Sequence, residues 1–351
     1  MGAIAVGWQV WSFRGAFDYG VHCQHFSDLL LQDAPLSTMQ RRPISENRSN
    51  HHPGDSSKPS FPLPQISGDT NHTLAVMVLS RRNGFTVRQA IRNTWAKDHD
   101  NVFFVIGQGC TIPPEYRGVD EGGNSFCKVK PRPLDNGYVM ATMKHMEKEE
   151  ELTQQLLREQ DQYQDLLVMP FVIDMYRTLP QKLKFAYTFV HSHLPSVEWV
   201  LKVDDDFFVR IDPFEQVLAQ SHDASQAILI GGDIRLDHKA HTGGKWKEVP
   251  QFPRGALYPP FPLGSYGHVV TRPIVDYVVK YQEALFDYQG EDVSIGIWLQ
   301  HPLAPNTTFL NNPRMSNGGD CRKPQLFVVG HDITPTKMEI CHKMDVKMLG
   351  H

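Results

Sequence analysis

Three consecutive segments limit the fold more than anything else in the chain. Thr73 to Leu79 (TLAVMVL) is apolar almost without a break, and NVFFVIG, ending at Gly107, is a second such run. Between them GFTVRQAIRNTWAKD has helical spacing, with Thr86 as its expected N-cap and Val87, Ala90, Ile91 and Trp95 on one face. Strands that are apolar on both faces must be covered on both faces. A strand–helix–strand order of this kind therefore predicts a mostly parallel sheet flanked by helices, an α/β layer fold. With 351 residues, 40% of them hydrophobic, the chain is long enough for one large domain or two smaller ones.

The alternation continues. Tyr138 to about Gln160 reads as a charged helix with Val139, Met143, Met146, Leu152 and Leu156 as its apolar stripe. DLLVMPF is strand-like, and PQKLKFAYTFVHSHL is a helix opened by Pro180. EWVLKV is a further buried strand, and after AILIGGDI a Gly- and Pro-rich stretch suited to pocket-forming loops precedes the helix TRPIVDYVVKYQEAL. GEDVSIGIWL starts another helix, and no internal repeat is present. Residues 34–71 are rich in Ser, Pro, Asn and His and read as a disordered stem or linker ahead of a single folded unit over 72–345. Residues 1–33 form an atypical segment: Arg14, Asp18 and several glycines interrupt it, so it is neither a spanning helix nor a signal peptide with a basic start.

The net charge of −4 and the scattered basic residues exclude a nucleic-acid surface. None of the five cysteines sits in a C-x-x-C pair, which speaks against zinc. Cys110 with Cys127 and Cys321 with Cys341 have spacings that suit two loop-closing disulfides; five independent thiols, Cys23 among them, fit the spacing as well. N-x-S/T sequons at Asn47, Asn71 and Asn306 favour a secreted or lumenal chain.

The chemistry starts at LKVDDDFFV, residues 201–209. Asp204, Asp205 and Asp206 follow a buried strand, where open α/β sheets bind ligands. A bare run of three aspartates is more often a solvated turn, but this one is walled by Trp199, Phe207 and Phe208. Adjacent carboxylates in such a place call for a hard divalent cation, Mg²⁺ or Mn²⁺, able to bridge phosphate oxygens. In YQGEDVSIGIWL, Glu291 and Asp292 occupy the first turn of an apolar helix. The helix dipole accounts for acids there, and a general base at Asp292, beneath Ile295 and Trp298, is the sharper alternative. His331, after the strand Leu326 to Val329, is one of 17 histidines and by itself more often structural; imidazole added to carboxylates favours Mn²⁺.

VRQAIRNTW (87–95), FVIDMYRTLPQKL (171–183), LKVDDDFFV (201–209) and GEDVSIGIWL (290–299), in this order, resemble the β-1,3-glycosyltransferases of glycosyltransferase family 31, and most of all their galactosyl- and N-acetylgalactosaminyltransferases. The likeness spans roughly residues 73–342. It implies a GT-A (Rossmann-like) fold and inverting transfer from UDP-Gal or UDP-GalNAc, with Mn²⁺, onto the 3-hydroxyl of a sugar acceptor on glycoprotein or glycolipid. It further implies Asp206, His331 and Asp204 at the metal and Asp292 as catalytic base. Asp204, Asp205, Arg88, Arg92 and Lys182 would face the nucleotide sugar, with Asp174 and Tyr176 ordering the donor side. Tyr266, His268, Glu291 and Trp298 would line the sugar pocket. GSYGHVVT (264–271) departs from the family pattern, being one residue longer at Tyr266 and carrying His268 where Tyr is usual. Family members are anchored in the Golgi or endoplasmic reticulum by an N-terminal helix, so an association with the membrane is implied although no such helix is evident. A catalytically silent sugar-binding relative, a β-1,3-N-acetylglucosaminyltransferase and a two-metal phosphohydrolase are the competing readings.

Overall fold

The computed structural model describes residues 9–11, 61–64, 72–130, 136–318 and 320–349. In chain order the first strands are β1 (Gln9–Trp11), β2 (Leu74–Leu79), β3 (Val102–Gln108), β4 (Arg117–Val119) and β5 (Ser125–Val129). β6 (Leu166–Ile173), β7 (Trp199–Asp204), β8 (Phe208–Val209), β9 (Ile228–Gly231) and β10 (Ile234–Arg235) follow. The last are β11 (Phe261–Pro262), β12 (His268–Thr271), β13 (Thr308–Asn311), β14 (Met315–Asn317) and β15 (Val328–Gly330). The helices are α1 (Phe85–Asn93), α2 (Asn136–Tyr163), α3 (Leu179–His193), α4 (Ile211–Ser221), α5 (Arg272–Tyr281), α6 (Glu291–Trp298) and α7 (Pro335–Leu349).

The central sheet has the order β1-β13-β9-β12-β7-β2-β3-β6. β7, β2, β3 and β6 are parallel, β9 and β13 are parallel, and β12 runs antiparallel to both its neighbours β7 and β9. This is a mixed α/β architecture with a mostly parallel sheet, consistent with a GT-A fold. The apolar runs have a simple cause. Along β2, Leu74, Val76 and Val78 enter one core with Ile91 of α1 and Phe214 of α4. Ala75, Met77 and Leu79 enter the opposite core with Leu183 of α3, Val275 of α5 and Trp298 of α6. Period-2 alternation sends successive side chains to opposite faces, and both faces are roofed.

Two expectations need correction. Thr86 does not cap α1: the helix begins at Phe85 behind Gly84, and no side-chain cap is made. A Cβ on Gly84 would lie 3.0 Å from the Arg81 carbonyl oxygen, so a tight Ser80–Gly84 turn sets the helix start. The stripe of α2 is also only partly a core face. Leu156 is buried and Leu152 packs against the core, but Val139, Met143 and Met146 are exposed. The helix has 28 residues, about 42 Å at the α-helical rise. The eight residues of β6 span only about 26 Å, so the early turns overrun the sheet.

Both expected disulfides, Cys110–Cys127 and Cys321–Cys341, are formed. Asn306 is exposed ahead of β13. Cys23, Asn47, Asn71 and, apart from residues 9–11 and 61–64, the segments 1–33 and 34–71 lie outside the described residues. No helix among the described residues is long and apolar enough to cross a membrane.

Candidate active site

β7 delivers the three aspartates to the carboxyl end of the parallel strands, and Asp205 and Asp206 make the turn into β8. The apolar flanks anchor that turn. Trp199, Phe207 and Phe208 are buried, Trp95 donates its indole N–H to the Phe207 carbonyl at 3.0 Å, and the Phe207 ring lies so close to Gly330 that a Cβ there would meet it at 2.3 Å. The carboxylates then diverge. Asp205 is buried and accepts from the Ser80 hydroxyl at 2.8 Å and the Arg81 N–H at 3.3 Å, which ties the turn to the end of β2. Asp204 pairs with the Lys202 ammonium at 2.9 Å. Asp206 faces outward.

Asp206 meets His331 because β8 and β15 pair antiparallel, with Val209 opposite Val328 and Phe208 opposite Val329. Two steps further, that register sets His331 against Asp206, and Nδ1 lies 3.1 Å from Oδ2. The same oxygen accepts the Asp332 N–H at 3.1 Å. Asp206, His331 and Asp332 can converge ligand atoms within 4.8 Å of one another. Asp206 Oδ1 is buried without a hydrogen-bond partner, an acceptor held ready. Two carboxylates and an imidazole fit a divalent cation of the Mn²⁺ kind. Asp204, expected here, is turned toward Lys202 instead; Asp332 was not singled out, and its only sequence signal is its place beside His331.

The second half of the site is the first turn of α6. Asp292 Oδ1 accepts the Val293 N–H at 2.8 Å and Oδ2 the Gly264 N–H at 3.0 Å. Burial, reinforced by neighbouring Glu291, pushes the Asp292 carboxyl up to about 7, and those two N–H donors only partly oppose it. A base with that affinity is half ionised at neutral pH. Glu291 points the other way, to Lys202 Nζ at 2.5 Å. Its burial favours the neutral form, but Lys202 outweighs that and holds its carboxyl below the ordinary value. Lys202 is fully enclosed; burial works against its charge, yet Asp204 and Glu291 together raise its affinity for the proton. Asp204 is raised to about 6, first by burial and then by Glu291, despite Lys202. Lys202 thus joins the aspartate turn to the α6 turn. Its signal in the sequence is a lone cation inside an apolar strand.

The remaining expected residues fall into three places. Tyr266 closes the short Gly264–Tyr266 turn that supports Asp292, with its ring against Gly232. His268 and Trp298 lie beneath the cleft. His268 is enclosed opposite Lys202 on β12, pushed down to about 3 by burial and by Lys202, while Trp298 donates to the Phe286 carbonyl at 2.7 Å in the core. Arg88 and Lys182 brace the loop after β2. Arg88 is buried in a two-point pair with Glu159 at 2.8 and 2.7 Å and donates to the Arg81 carbonyl at 2.6 Å. Lys182 donates to the Ser80 carbonyl at 2.8 Å and pairs with Asp174 at 2.6 Å, and Asp174 accepts the Arg82 N–H. Arg92 is elsewhere: it pairs with Glu159 and with Asp165, which precedes β6, at the end of the sheet away from the aspartates. Tyr176 lines the site beside Asp292, its hydroxyl accepting from Gln289 at 3.1 Å.

Residues 143–305, which contain the aspartate turn and Asp292, match the galactosyltransferase family model. Among the curated relatives of this chain, UDP-GalNAc:β-1,3-N-acetylgalactosaminyltransferase 2 of Xenopus laevis is 35% identical over 154 residues, 44% of this chain and 30% of that protein. β-1,3-Galactosyltransferase 6 of Mus musculus is 29% identical over 226 residues, 64% of this chain and 59% of that protein. β-1,3-Galactosyltransferase GALT1 of Arabidopsis thaliana is 29% identical over 277 residues, 76% of this chain and 36% of that protein. The matched part thus spans between about a third and three fifths of these relatives' lengths.

Proposed function

We propose that this chain is an inverting β-1,3-hexosyltransferase that moves galactose or N-acetylgalactosamine from a UDP-sugar to the 3-hydroxyl of an acceptor sugar. The observation that carries the reading is the pairing of two unlike sites across Lys202: a cation-competent group at Asp206, His331 and Asp332, and a carboxylate at Asp292 raised to about 7. Mn²⁺ held by Asp206, His331 and Asp332 would offset the charge of the departing diphosphate. Asp292 accepts the proton of the acceptor hydroxyl as that oxygen forms its bond to the anomeric carbon. The sugar–phosphate bond breaks on the opposite face, so one displacement inverts the centre and needs no covalent intermediate. Gly264 and Val293 N–H groups orient the base, while Arg88, Lys182 and Asp174 hold the 80–84 loop, with Arg81 exposed on it, beside the donor.

Residues 72–345 form the catalytic domain in this account, behind a stem at 34–71. The sequons and disulfides support a Golgi or endoplasmic reticulum lumen, where the acceptor glycan would be carried by glycoprotein or glycolipid. The names of the relatives support a galactosyl or N-acetylgalactosaminyl donor over N-acetylglucosaminyl. A silent relative would have no use for a base tuned to neutrality. A two-metal phosphohydrolase needs a second ligand cluster, and the described residues supply one group only. The test is the product's anomeric configuration, read by proton NMR after reaction with an α-linked UDP-sugar and Mn²⁺. A β-1,3 linkage is expected, and an α-linked product would overturn the single-displacement account.

A further inference from the structure

Beside the base lies a cleft of about 710 Å³ between the β4–β5 hairpin and the 240–255 segment, within the range of ~300–1,000 Å³ for ligand sites. None of the residues expected to handle donor or metal lines it. Both walls are fixed. The hairpin is bound to the end of β3 by Cys110–Cys127. The opposite wall rests on a small core in which Phe252, Tyr258 and Phe261 pack against Val293 and Ile297 of α6. Arg177 clamps the walls together: its Nε donates to Asp120 at 2.6 Å and its Nη2 to the Lys247 carbonyl at 3.0 Å. Asn124 reaches across to the Lys245 carbonyl at 2.8 Å, and Lys247 pairs with Glu121.

A short chain of contacts links the cleft to Asp292. Glu248, on its lining, accepts the Gln289 N–H at 2.9 Å. Gln289 donates from its side chain to Tyr176, next to Arg177, and stands three residues before the base. Trp246, next to Lys247, is exposed and also hydrogen-bonds Tyr176. The lining charges cancel: Arg177, Lys247 and Arg254 balance Asp120, Glu121 and Glu248. Val119, Phe126, Pro250 and Phe252 supply apolar surface between them. A walled, uncharged, half-apolar cleft suits a ligand with a C–H face and a rim of hydroxyls. A phosphorylated or sulfated group would find Arg177 and Lys247 already paired with Asp120 and Glu121.

Resting on the transferase reading above, we propose that this cleft binds the sugar next to the one that accepts the transfer. The acceptor is then an uncharged oligosaccharide of at least two residues, with its terminal sugar at Asp292 and its penultimate sugar between the hairpin and the 240–255 segment. The volume exceeds what one pyranose ring fills, and the ring held at Asp292 lies outside it.

The test compares kcat/KM of the full chain, with Mn²⁺ and its preferred donor, for four acceptors. These are a β-linked monosaccharide glycoside, a neutral disaccharide glycoside ending in that sugar, the same disaccharide phosphorylated on its inner residue, and the monosaccharide on a short peptide. The neutral disaccharide should exceed the monosaccharide by about tenfold or more, the scale of one well-filled subsite. Thr242→Trp and Val119→Trp, each placing a large ring in the cleft from an exposed lining position, should bring that ratio close to one. A variant that merely folds poorly lowers both rates and leaves the ratio intact, so survival of the preference in both variants would overturn the assignment. Equal rates on monosaccharide and disaccharide, or a preference for the phosphorylated or peptide-borne acceptor, would overturn it too, while leaving the transferase standing. Failure of every acceptor to release UDP would remove the transferase reading itself.

Discussion

Glu291 and Asp292 are adjacent carboxylates on one helical turn, and their partners give them opposite properties. Glu291 is ionised by Lys202 at 2.5 Å, whereas Asp292 has only backbone N–H donors and is raised to about 7 by burial and by Glu291 itself. The base must be ionised to accept a proton, and its folded-state affinity lies above the ordinary carboxylate value. The kcat/KM profile should therefore be flat above about pH 7 and fall roughly tenfold per unit below it, as a single essential base requires. Asp292→Asn should lower kcat by about 10²–10⁴-fold, the usual worth of a positioned base. Lys202 carries a different prediction. Lys202→Met leaves Glu291 buried without its cation and should cost about 3–5 kcal/mol in urea unfolding. Lys202→Met with Glu291→Leu should recover part of that loss, because Asp204 is partly exposed and can be solvated. Identical stability of single variant and wild type would remove Lys202 as the joint between the two motifs.

At the scale of elements, the cation site depends on β8 and β15, short strands that pair residues more than 100 positions apart. The Cys321–Cys341 disulfide spans 20 residues and encloses β15, His331 and Asp332. Cys321→Ser/Cys341→Ser should lower unfolding free energy by about 2–4 kcal/mol. It should also weaken Mn²⁺ binding measured by calorimetry; unchanged affinity would mean that the strand register alone holds the ligands. What the sequence showed follows the range of the interactions. β2, β3 and β7 were legible because burial on both faces writes a continuous apolar run. The placement of DDD at a strand's end followed from that, and GED at a helix start from Gly290. The α2 stripe misled because periodicity names the apolar face without saying what covers it. Thr86 misled because Gly84, set by a turn, capped the helix first. Asp332 and the Lys202 bridge stayed hidden because each exists only once distant strands pair, and Arg92, which the resemblance implied at the nucleotide together with Arg88, lies one turn further along α1 and pairs at the other end of the sheet.

The molecule as a whole divides its labour along β7. On one side the parallel strands β6, β3, β2 and β7 present the aspartate turn and the 80–84 loop. On the other, β12, the Gly264–Tyr266 turn and α6 present Asp292, the proposed base, and Lys202 ties the two together. Ligands that bind only the folded chain should stabilise it by mass action. With Mn²⁺ and UDP at about 100 times their dissociation constant the gain is about 2.7 kcal/mol, visible as a raised thermal midpoint. Asp206→Asn and His331→Ala should abolish the Mn²⁺-dependent part of that gain, and Asp292→Asn should keep it. The most direct measurement of the central claim is UDP release by the full chain with Mn²⁺, comparing UDP-Gal, UDP-GalNAc and UDP-GlcNAc across β-linked acceptors. The account predicts acceptor-dependent release from UDP-Gal or UDP-GalNAc that disappears in Asp292→Asn. Release that needs no acceptor, or that survives Asp292→Asn undiminished, would contradict it.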